Sequence, residues 1–265
     1  RNFSFSTGGG ATRKMCEFVG HTTVVDGCVF TNNVGSWGAT VGVKGGILEN
    51  CQFFNNWTKD TAAEGGALRI SSGEVRSCTF RNNSATYGAA VYSVDDAAVI
   101  SNCTISGNKA AVSRGLGGAA VDLVRGTLTH STVTNNTGSA AGGVTTWNFY
   151  ATNNGQIMNM SPVLRNCLIA GNTSTGYWGN DVTVRVGAGG VYHGAGTVEN
   201  CHIVGNVNLY GGSSVEADVG GGDDALGQVD VEAEADARAA VRRREALEAR
   251  HAQRRAEATV HRVQD

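Results

Sequence analysis

The chain contains almost no proline, few aromatic residues and no long apolar segment. Of its 265 residues one is proline, Pro162, and aromatic side chains make up 7%. No apolar run approaches the roughly 20 residues of a membrane-spanning helix, so we expect no membrane span. The 21 basic and 23 acidic residues nearly balance, so the sequence lacks the basic footprint of a nucleic-acid-binding protein.

Metal-site and targeting signatures are missing as well. None of the seven cysteines lies in a CxxC pair or a Cys/His cluster, so we predict no metal and no cofactor. The chain does not begin with methionine, and its first residues lack the charged and apolar regions of a secretory signal. We therefore expect residue 1 to be an internal position of a longer precursor.

A six-residue word returns along the chain, for example CTFRNN at residues 78–83 and CVFTNN at residues 28–33. Its copies begin at Cys28, Cys51, Cys78, Cys103, Ser131, Cys167 and Cys201. The steps between these positions are 23, 27, 25, 28, 36 and 34 residues. A word at such a period predicts a stack of repeats, each of which cannot bury its apolar side alone.

Each repeat contains further strand signals. A glycine word precedes an apolar stretch, with copies at Gly38, Gly66, Gly88, Gly118, Gly143 and Gly190. An apolar residue also stands three positions before each cysteine position, and because the two differ in parity the chain must bend between them. Asparagine or serine, which suits a left-handed bend, occupies that point at Asn50, Ser77, Asn102, Asn166 and Asn200. We predict an all-β, right-handed parallel β-helix of about six to seven three-strand coils.

The word also predicts two columns of buried side chains. The cysteines that share one repeat position are expected to be reduced and to pack as small apolar groups. The asparagines that close the word, with Asn82 and Asn108 as examples, are expected to be buried at a corner. There their side chains would form a ladder of stacked amides, as identical side chains do in stacked strands.

The composition changes towards the C-terminus. Residues 1–210 are predicted to form the β-helix, and residues 211–227 a linker rich in glycine, serine and aspartate. Residues 228–265 are rich in alanine, arginine and glutamate, and we predict a charged helical tail. A tail of this kind would cover the open end of the solenoid or dock a partner.

Two pairs of words carry a family resemblance. GGAL at 65–68 with FRNN at 80–83, and ISGN at 105–108 with GGAA at 117–120, resemble the passenger region of the polymorphic outer-membrane proteins, a family of autotransporter adhesins. The resemblance covers roughly residues 28–206. It implies a β-helix that is secreted or on the cell surface and that adheres to surface glycans or other extracellular proteins. Isoleucine or valine replaces phenylalanine in the later copies.

Many β-helix proteins are polysaccharide lyases or glycoside hydrolases, so acidic residues need separate attention. Glycoside hydrolysis requires carboxylates that converge about 5–10 Å apart. The candidates are Asp95, Asp96 and Asp122, which the repeat places on neighbouring coils. The alternative interpretation is that they are solvated acids of turns.

Aromatic residues suggest a binding surface. Counted from the glycine words, the second and fourth residues would face outward, and these are Leu68, Ile70, Tyr92, Asp122, Trp147 and Tyr192. Of these, Tyr92, Asp122 and Trp147 would lie on three consecutive coils. Rigid aromatic faces with a polar partner suit sugar binding. Tyr177 and Trp178 lie in a long insertion, and insertions often project from the functional face of a solenoid. Alternatively, these side chains cover the backbone or form small local cores.

Three functions remain open at the level of sequence. The first is a non-enzymatic structural or adhesive module, extracellular or on the cell surface, with glycans as the ligand to test. The second is a carbohydrate-active enzyme, either a polysaccharide lyase or a glycoside hydrolase. The third is a scaffold subunit of a larger extracellular assembly.

Overall fold

The chain folds into an all-β parallel solenoid, as the repeated word predicts. The computed structural model describes residues 16–35, 39–58, 63–111, 118–146, 152–153, 156–157, 161–175, 187–209, 215–217, 225–226 and 229–231. Within these ranges there is no helix, and thus none long and apolar enough to cross a membrane. Each strand of the solenoid pairs in parallel with its equivalents in neighbouring coils.

The largest sheet has 14 strands and contains both the glycine strands and the strands that precede the cysteine positions. Its strands are Cys16–Val19, Val24–Asp26, Val41–Glu49, Leu68–Arg76, Val91–Ser93, Ala98–Ser101, Val121–Leu123, Thr127–Thr129, Val144–Thr146, Val163–Arg165, Val191–His193, Thr197–Glu199, Val215–Ala217 and Ala225–Leu226. In two coils a single nine-residue strand covers both parts. In later coils a turn divides them.

Two further sheets complete each coil. The eight strands of the cysteine sheet are Val29–Thr31, Gln52–Phe54, Thr79–Arg81, Thr104–Ser106, Thr132–Thr134, Leu168–Ala170, Cys201–Val204 and Val229–Val231. The seven strands of the third sheet are Val34–Gly35, Trp57–Thr58, Ser84–Ala85, Lys109–Ala110, Thr137–Gly138, Thr173–Ser174 and Val207–Asn208. Outside the solenoid ladders, Thr152–Asn153 and Gln156–Ile157 form an antiparallel pair.

Left-handed residues form the corners on both sides of the cysteine sheet. Before it, φ lies between 48° and 62° at Gly27, Asn50, Ser77, Asn102, His130, Asn166 and Asn200. The predicted bend at the asparagine and serine positions is therefore confirmed. After it, φ lies between 54° and 65° at Asn32, Asn55, Asn82, Gly107, Asn135, Gly171 and Gly205. Each of these positions is asparagine or glycine because both residues tolerate this backbone conformation.

The core repeats from coil to coil in register. The rings of Phe30, Phe53 and Phe80 stack with centroids 4.7 Å apart and planes within 11° of parallel. Ile105, in register with Phe80, continues the column into the later coils, where aliphatic side chains replace the rings. The column is buried throughout. Because each coil repeats the same residue class at each position, the stacked coils bury one continuous apolar interior.

A ladder of buried asparagines runs along the corner after the cysteine sheet. Its members are Asn33, Asn56, Asn83, Asn108, Asn136, Asn172 and Asn206. The Nδ2 of Asn83 donates to Asn108 Oδ1 at 3.0 Å and to the carbonyl of Phe53 at 3.0 Å. Its Oδ1 accepts from the Nδ2 and the backbone N–H of Asn56 at 3.0 and 2.9 Å. The predicted amide ladder is confirmed, with Asn108 as a member.

The prediction for Asn82 is wrong. Asn82 is exposed and occupies the left-handed corner position, with φ 55°, whereas its neighbour Asn83 enters the ladder. The equivalent of Asn82 in the next coil is Gly107, which lies close beneath the Asn82 side chain. A Cβ built on Gly107 would come within 2.6 Å of Asn82 Oδ1. Consecutive asparagines therefore have different roles, one in the turn and one in the ladder.

The cysteine column forms a second ladder at the opposite corner. Its six cysteines are free and buried, as predicted. They are also hydrogen-bonded, whereas the sequence predicted purely apolar packing. Cys78 Sγ donates to the carbonyl of Arg76 at 3.2 Å and accepts from the N–H of Cys51 at 3.4 Å. Ser131 makes both contacts with its hydroxyl, to Thr129 O at 2.8 Å and from Cys103 N at 3.1 Å. Serine can therefore replace cysteine in the word because it supplies the same donor and acceptor.

Paired strands continue past the predicted domain boundary at residue 210. Val215–Ala217 and Ala225–Leu226, in the segment predicted as a linker, and Val229–Val231, in the segment predicted as a helical tail, pair with strands of the preceding coil. The helix prediction is therefore wrong for Val229–Val231. The predicted helical tail lies outside the described residues beyond Val231. The total of six to seven coils stays a prediction, since several coils are described only in part.

We predict that Asn83→Ala lowers the free energy of unfolding by at least about 3 kcal/mol. The substitution removes partners from Asn56, Asn108 and Phe53 inside the protein, and each buried polar group left unsatisfied costs about 1–3 kcal/mol. Asn82→Gly is the matched control, because glycine stands at the equivalent corner in the next coil. Denaturant unfolding of the two variants measures the difference, and equal stabilities would contradict the assigned roles.

We predict that the stability of the protein falls above pH 9 in part through Cys78. The hydrogen bond with the Cys103 thiol, together with burial, raises the pKa of Cys78 from 9.0 to about 12. The folded state thus keeps the neutral thiol while the unfolded chain ionises, so this stabilisation is complete below pH 9 and is lost between pH 9 and 12. At pH 10 the loss is about 1.4 kcal/mol.

Cys78→Ser tests this alkaline effect, since serine preserves the hydrogen bonds, as Ser131 does, and does not ionise. Unfolding of both proteins is measured at pH 7 and pH 10. The variant is expected to lose less stability than the parent between these pH values. An identical decline in both would show that the Cys78 thiol does not contribute.

Candidate functional site

The side chains that align on the outer face of the glycine strands are not all those expected from counting residues after each glycine. Strand pairing places Tyr92 in register with Arg69 and Asp122, and Asp122 in register with Thr145. Thr145, not Trp147, therefore occupies the row of Tyr92. The distance from glycine to strand differs between coils, so Leu68 and Ile70, expected to face outward, are fully buried. The corrected row is Arg69, Tyr92, Asp122, Thr145 and Tyr192.

Asp122 is buried instead of facing solvent, and none of its surface is exposed. Its Oδ2 accepts a hydrogen bond from the N–H of Gly88 at 2.7 Å, and its Oδ1 accepts from the N–H of Ala119 at 3.0 Å. The hydroxyl of Thr145 also donates to Oδ1. The expected accessible position of Asp122 is therefore wrong: the carboxylate links three coils by holding turn amides and a hydroxyl.

Asp95 and Asp96 lie in different surroundings from Asp122. They are exposed in the turn that follows the strand Val91–Ser93. Asp95 accepts from the N–H of Ala97 at 2.9 Å, and Asp96 lies 3.5 Å from Arg125 with 62% of its side chain exposed. Two candidate acids are thus in a solvated turn and the third is buried. Across the part of the chain that the structure describes, no three acidic, histidine or cysteine side chains gather as a metal site would require.

At the accessible end of the row, two adjacent coils bring four polar side chains together, two from the row and two from beside it. One coil contributes Glu64 and Arg69, and the next contributes Tyr87 and Tyr92. Glu64 pairs with Tyr87 through an isolated parallel bridge, and Arg69 is in register with Tyr92. All four are partly exposed. We call them the Tyr–Glu–Arg quartet.

An ion pair fixes one side of the quartet. Arg69 Nε lies 3.0 Å from Glu64 Oε2, and Arg69 Nη1 donates to Ser71 Oγ at 2.8 Å. The side chains of Arg69 and Glu64 are 29% and 38% exposed, so both remain within reach of a ligand. Because the guanidinium is held at two of its nitrogens, its plane is oriented before any ligand arrives.

A tight glycine turn separates the two members on each coil and sets their spacing. Gly65 has φ 83° and Gly88 has φ 52°. A Cβ on Gly88 would collide with the carbonyl of Val91. Glycine is therefore required where the chain turns back so closely on the strand. The turn places Tyr87 and Tyr92 on either side of it.

The environment of Tyr92 is apolar and negative. Burial, and then the carboxylates of Glu64 and Asp122, raise the pKa of Tyr92 above its ordinary value, while Arg69 opposes the shift. Tyr87 adds to the increase, which confirms that the tyrosines are neighbours. The hydroxyl of Tyr92 therefore remains protonated and can donate a hydrogen bond throughout the neutral pH range.

Of the quartet, the sequence analysis named only Tyr92 as a candidate and missed Glu64, Arg69 and Tyr87. A signal was present, since Glu64 and Arg69 have the same separation in the chain as Tyr87 and Tyr92. Two residues that flank a glycine word at equal separation on successive repeats are brought together by stacking. The other predicted binding residues, Trp147, Tyr177 and Trp178, lie outside the described residues.

The fold and the site define a right-handed β-helix repeat protein with a polar, partly aromatic surface site on its glycine strands. A family model for the right-handed beta helix region matches residues 3–154, more than half of the chain. The chain belongs to this family. Searches of curated proteins and of solved structures found no match.

We predict that Asp122→Asn lowers the free energy of unfolding by about 2–5 kcal/mol. The amide replaces one acceptor oxygen with an NH₂ group that must face a backbone N–H or the Thr145 hydroxyl, and breaking a buried charge-assisted contact is costly. The matched variant Asp96→Asn changes an exposed acid and is expected to stay within about 0.5 kcal/mol of the parent. Thermal unfolding compares them, and similar stabilities would contradict a structural role for Asp122.

Proposed function

We propose that this β-helix is a non-enzymatic structural or adhesive module, secreted or on the cell surface, that binds glycans through the Tyr–Glu–Arg quartet. The observation that carries the proposal is the juxtaposition of two partly exposed tyrosines with an oriented ion pair on adjacent coils. Sugar rings present C–H faces to aromatic rings and hydroxyls to charged side chains, and the quartet offers both kinds of surface.

The positions of the candidate acids favour binding over catalysis. Asp122 is occupied by turn amides, and Asp95 and Asp96 lie in an exposed turn. A glycosidase requires two carboxylates that flank one bond at a fixed separation. The resemblance to polymorphic outer-membrane protein passengers supports an adhesive role at the surface. Trp147, Tyr177 and Trp178 remain predicted contributors to binding.

Glycan-binding and activity assays distinguish the proposed module from the other two functions. A carbohydrate-active enzyme would release reducing ends or unsaturated sugars from a polysaccharide that it binds. A scaffold subunit would bind extracellular proteins and leave glycans unbound. The predicted tail at residues 228–265 is the segment that would dock such a partner.

We predict that Tyr92→Ala and Tyr87→Ala each reduce retention on a glycan array by about tenfold, which corresponds to about 1.4 kcal/mol. Each substitution removes an aromatic face from the quartet. Phe54→Ala is the matched control, because Phe54 is also a partly exposed aromatic residue but lies on the outer face of the cysteine sheet. Trp147→Ala extends the test to the insertion.

Melting temperatures measured in parallel separate a binding defect from unfolding. The proposal expects the tyrosine variants to keep the parent melting temperature within a few degrees. Failure of the parent protein to bind any glycan, or an equal loss of retention in Phe54→Ala, would overturn it. Product release during the array incubation would indicate the enzyme instead.

A further inference from the structure

We infer that the Tyr–Glu–Arg quartet selects uncharged sugars and rejects uronic and sialic acids. The inference rests on the proposed glycan binding and names the class of ligand. It follows from the charges around Tyr92 and from the contacts that already occupy Arg69.

Carboxylates outnumber guanidinium groups around Tyr92. Glu64 contacts Arg69, and Asp122 is the in-register neighbour of Tyr92 on the following coil. Among the residues that the structure describes, these two carboxylates face one cation, Arg69, which is also in register with Tyr92. Burial is the largest cause of the raised pKa of Tyr92, and both carboxylates raise it further while Arg69 opposes them. An acidic sugar that approaches the tyrosines therefore meets a repulsive field.

The guanidinium of Arg69 is poorly placed to neutralise the negative charge of a ligand carboxylate. Bidentate recognition uses two adjacent nitrogens along one edge of the guanidinium plane. Nε is engaged by Glu64 and Nη1 by Ser71, so each edge already has one occupied nitrogen. A uronate or sialate that binds bidentately would have to displace either Glu64 or Ser71, and in both cases its carboxylate would lie close to that of Glu64. The carboxylate of Glu64 and the carboxylate of the ligand would repel each other.

A neutral sugar needs no such rearrangement. A hydroxyl group is both donor and acceptor, so one of two vicinal hydroxyls can donate to Glu64 while the other accepts from Arg69. The ion pair stays intact in this arrangement, and the sugar ring can lie against a tyrosine face. Uncharged hexoses with vicinal hydroxyls therefore match the quartet.

The test compares binding of the folded protein to an array of mannose-, galactose- and glucose-terminated glycans with binding to polygalacturonate and sialylated glycans. We expect at least about tenfold stronger retention on the neutral set. Binding to that set should change less than about twofold between 0.05 and 0.5 M NaCl, because no net charge is neutralised. Glu64→Gln should raise retention on the acidic glycans by about fivefold or more, while Asp96→Asn, an acid in an exposed turn, should not.

The outcomes separate the inference from the proposed function. Tyr92-dependent retention on polygalacturonate or sialylated glycans at a level equal to the neutral set would overturn the charge selection and leave glycan binding intact. Retention on no glycan at all would overturn both. The salt dependence uses the parent protein, so the charge argument is tested even if Glu64→Gln folds poorly.

Discussion

The buried amide of the ladder asparagines is the interaction on which the rest of the structure depends. Each ladder side chain between the two ends of the ladder accepts two hydrogen bonds from the preceding coil and donates to the following one, as Asn83 does between Asn56 and Asn108. It also donates to a backbone carbonyl of the preceding coil, such as that of Phe53. A shift of one coil by a single residue would break all of these contacts inside the protein, so the ladder fixes the register of every sheet.

The quartet is a product of that fixed register. Glu64 and Tyr87, like Arg69 and Tyr92, are neighbours only because successive coils stack without slipping. The backbone beneath them is a parallel ladder with glycine turns. A ligand that binds there therefore has little backbone to order, and less of the binding energy is spent on conformational entropy. The ion pair adds to this preorganisation by holding Arg69 in place.

The repeated word was sufficient to predict the fold because its residues identify both the corners and the buried core positions of each coil. Left-handed asparagines, buried cysteines and the closing amide ladder all follow from residue chemistry at a fixed period. The member of each asparagine pair that enters the ladder was assigned wrongly at Asn82, since the two residues are chemically identical and only the turn geometry distinguishes them. The row of the candidate site was also misplaced, because the glycine words stand at unequal distances from their strands. Asp122, expected on an accessible surface, could not be recognised as a buried turn acceptor without the coil that stacks on it.

The uniform contact between coils also bears on how such a chain changes over generations. Every ladder asparagine presents the same donors and acceptors to its neighbours, whether the next coil begins 25 or 36 residues later. A gene segment that encodes one coil, from one ladder asparagine to the next, could thus be duplicated or lost. The coils that then become neighbours would still present matching donors and acceptors to each other. The length of the solenoid is then open to variation by whole coils, and recombination between repeats would alter how far the surface of the glycine strands extends while preserving its register.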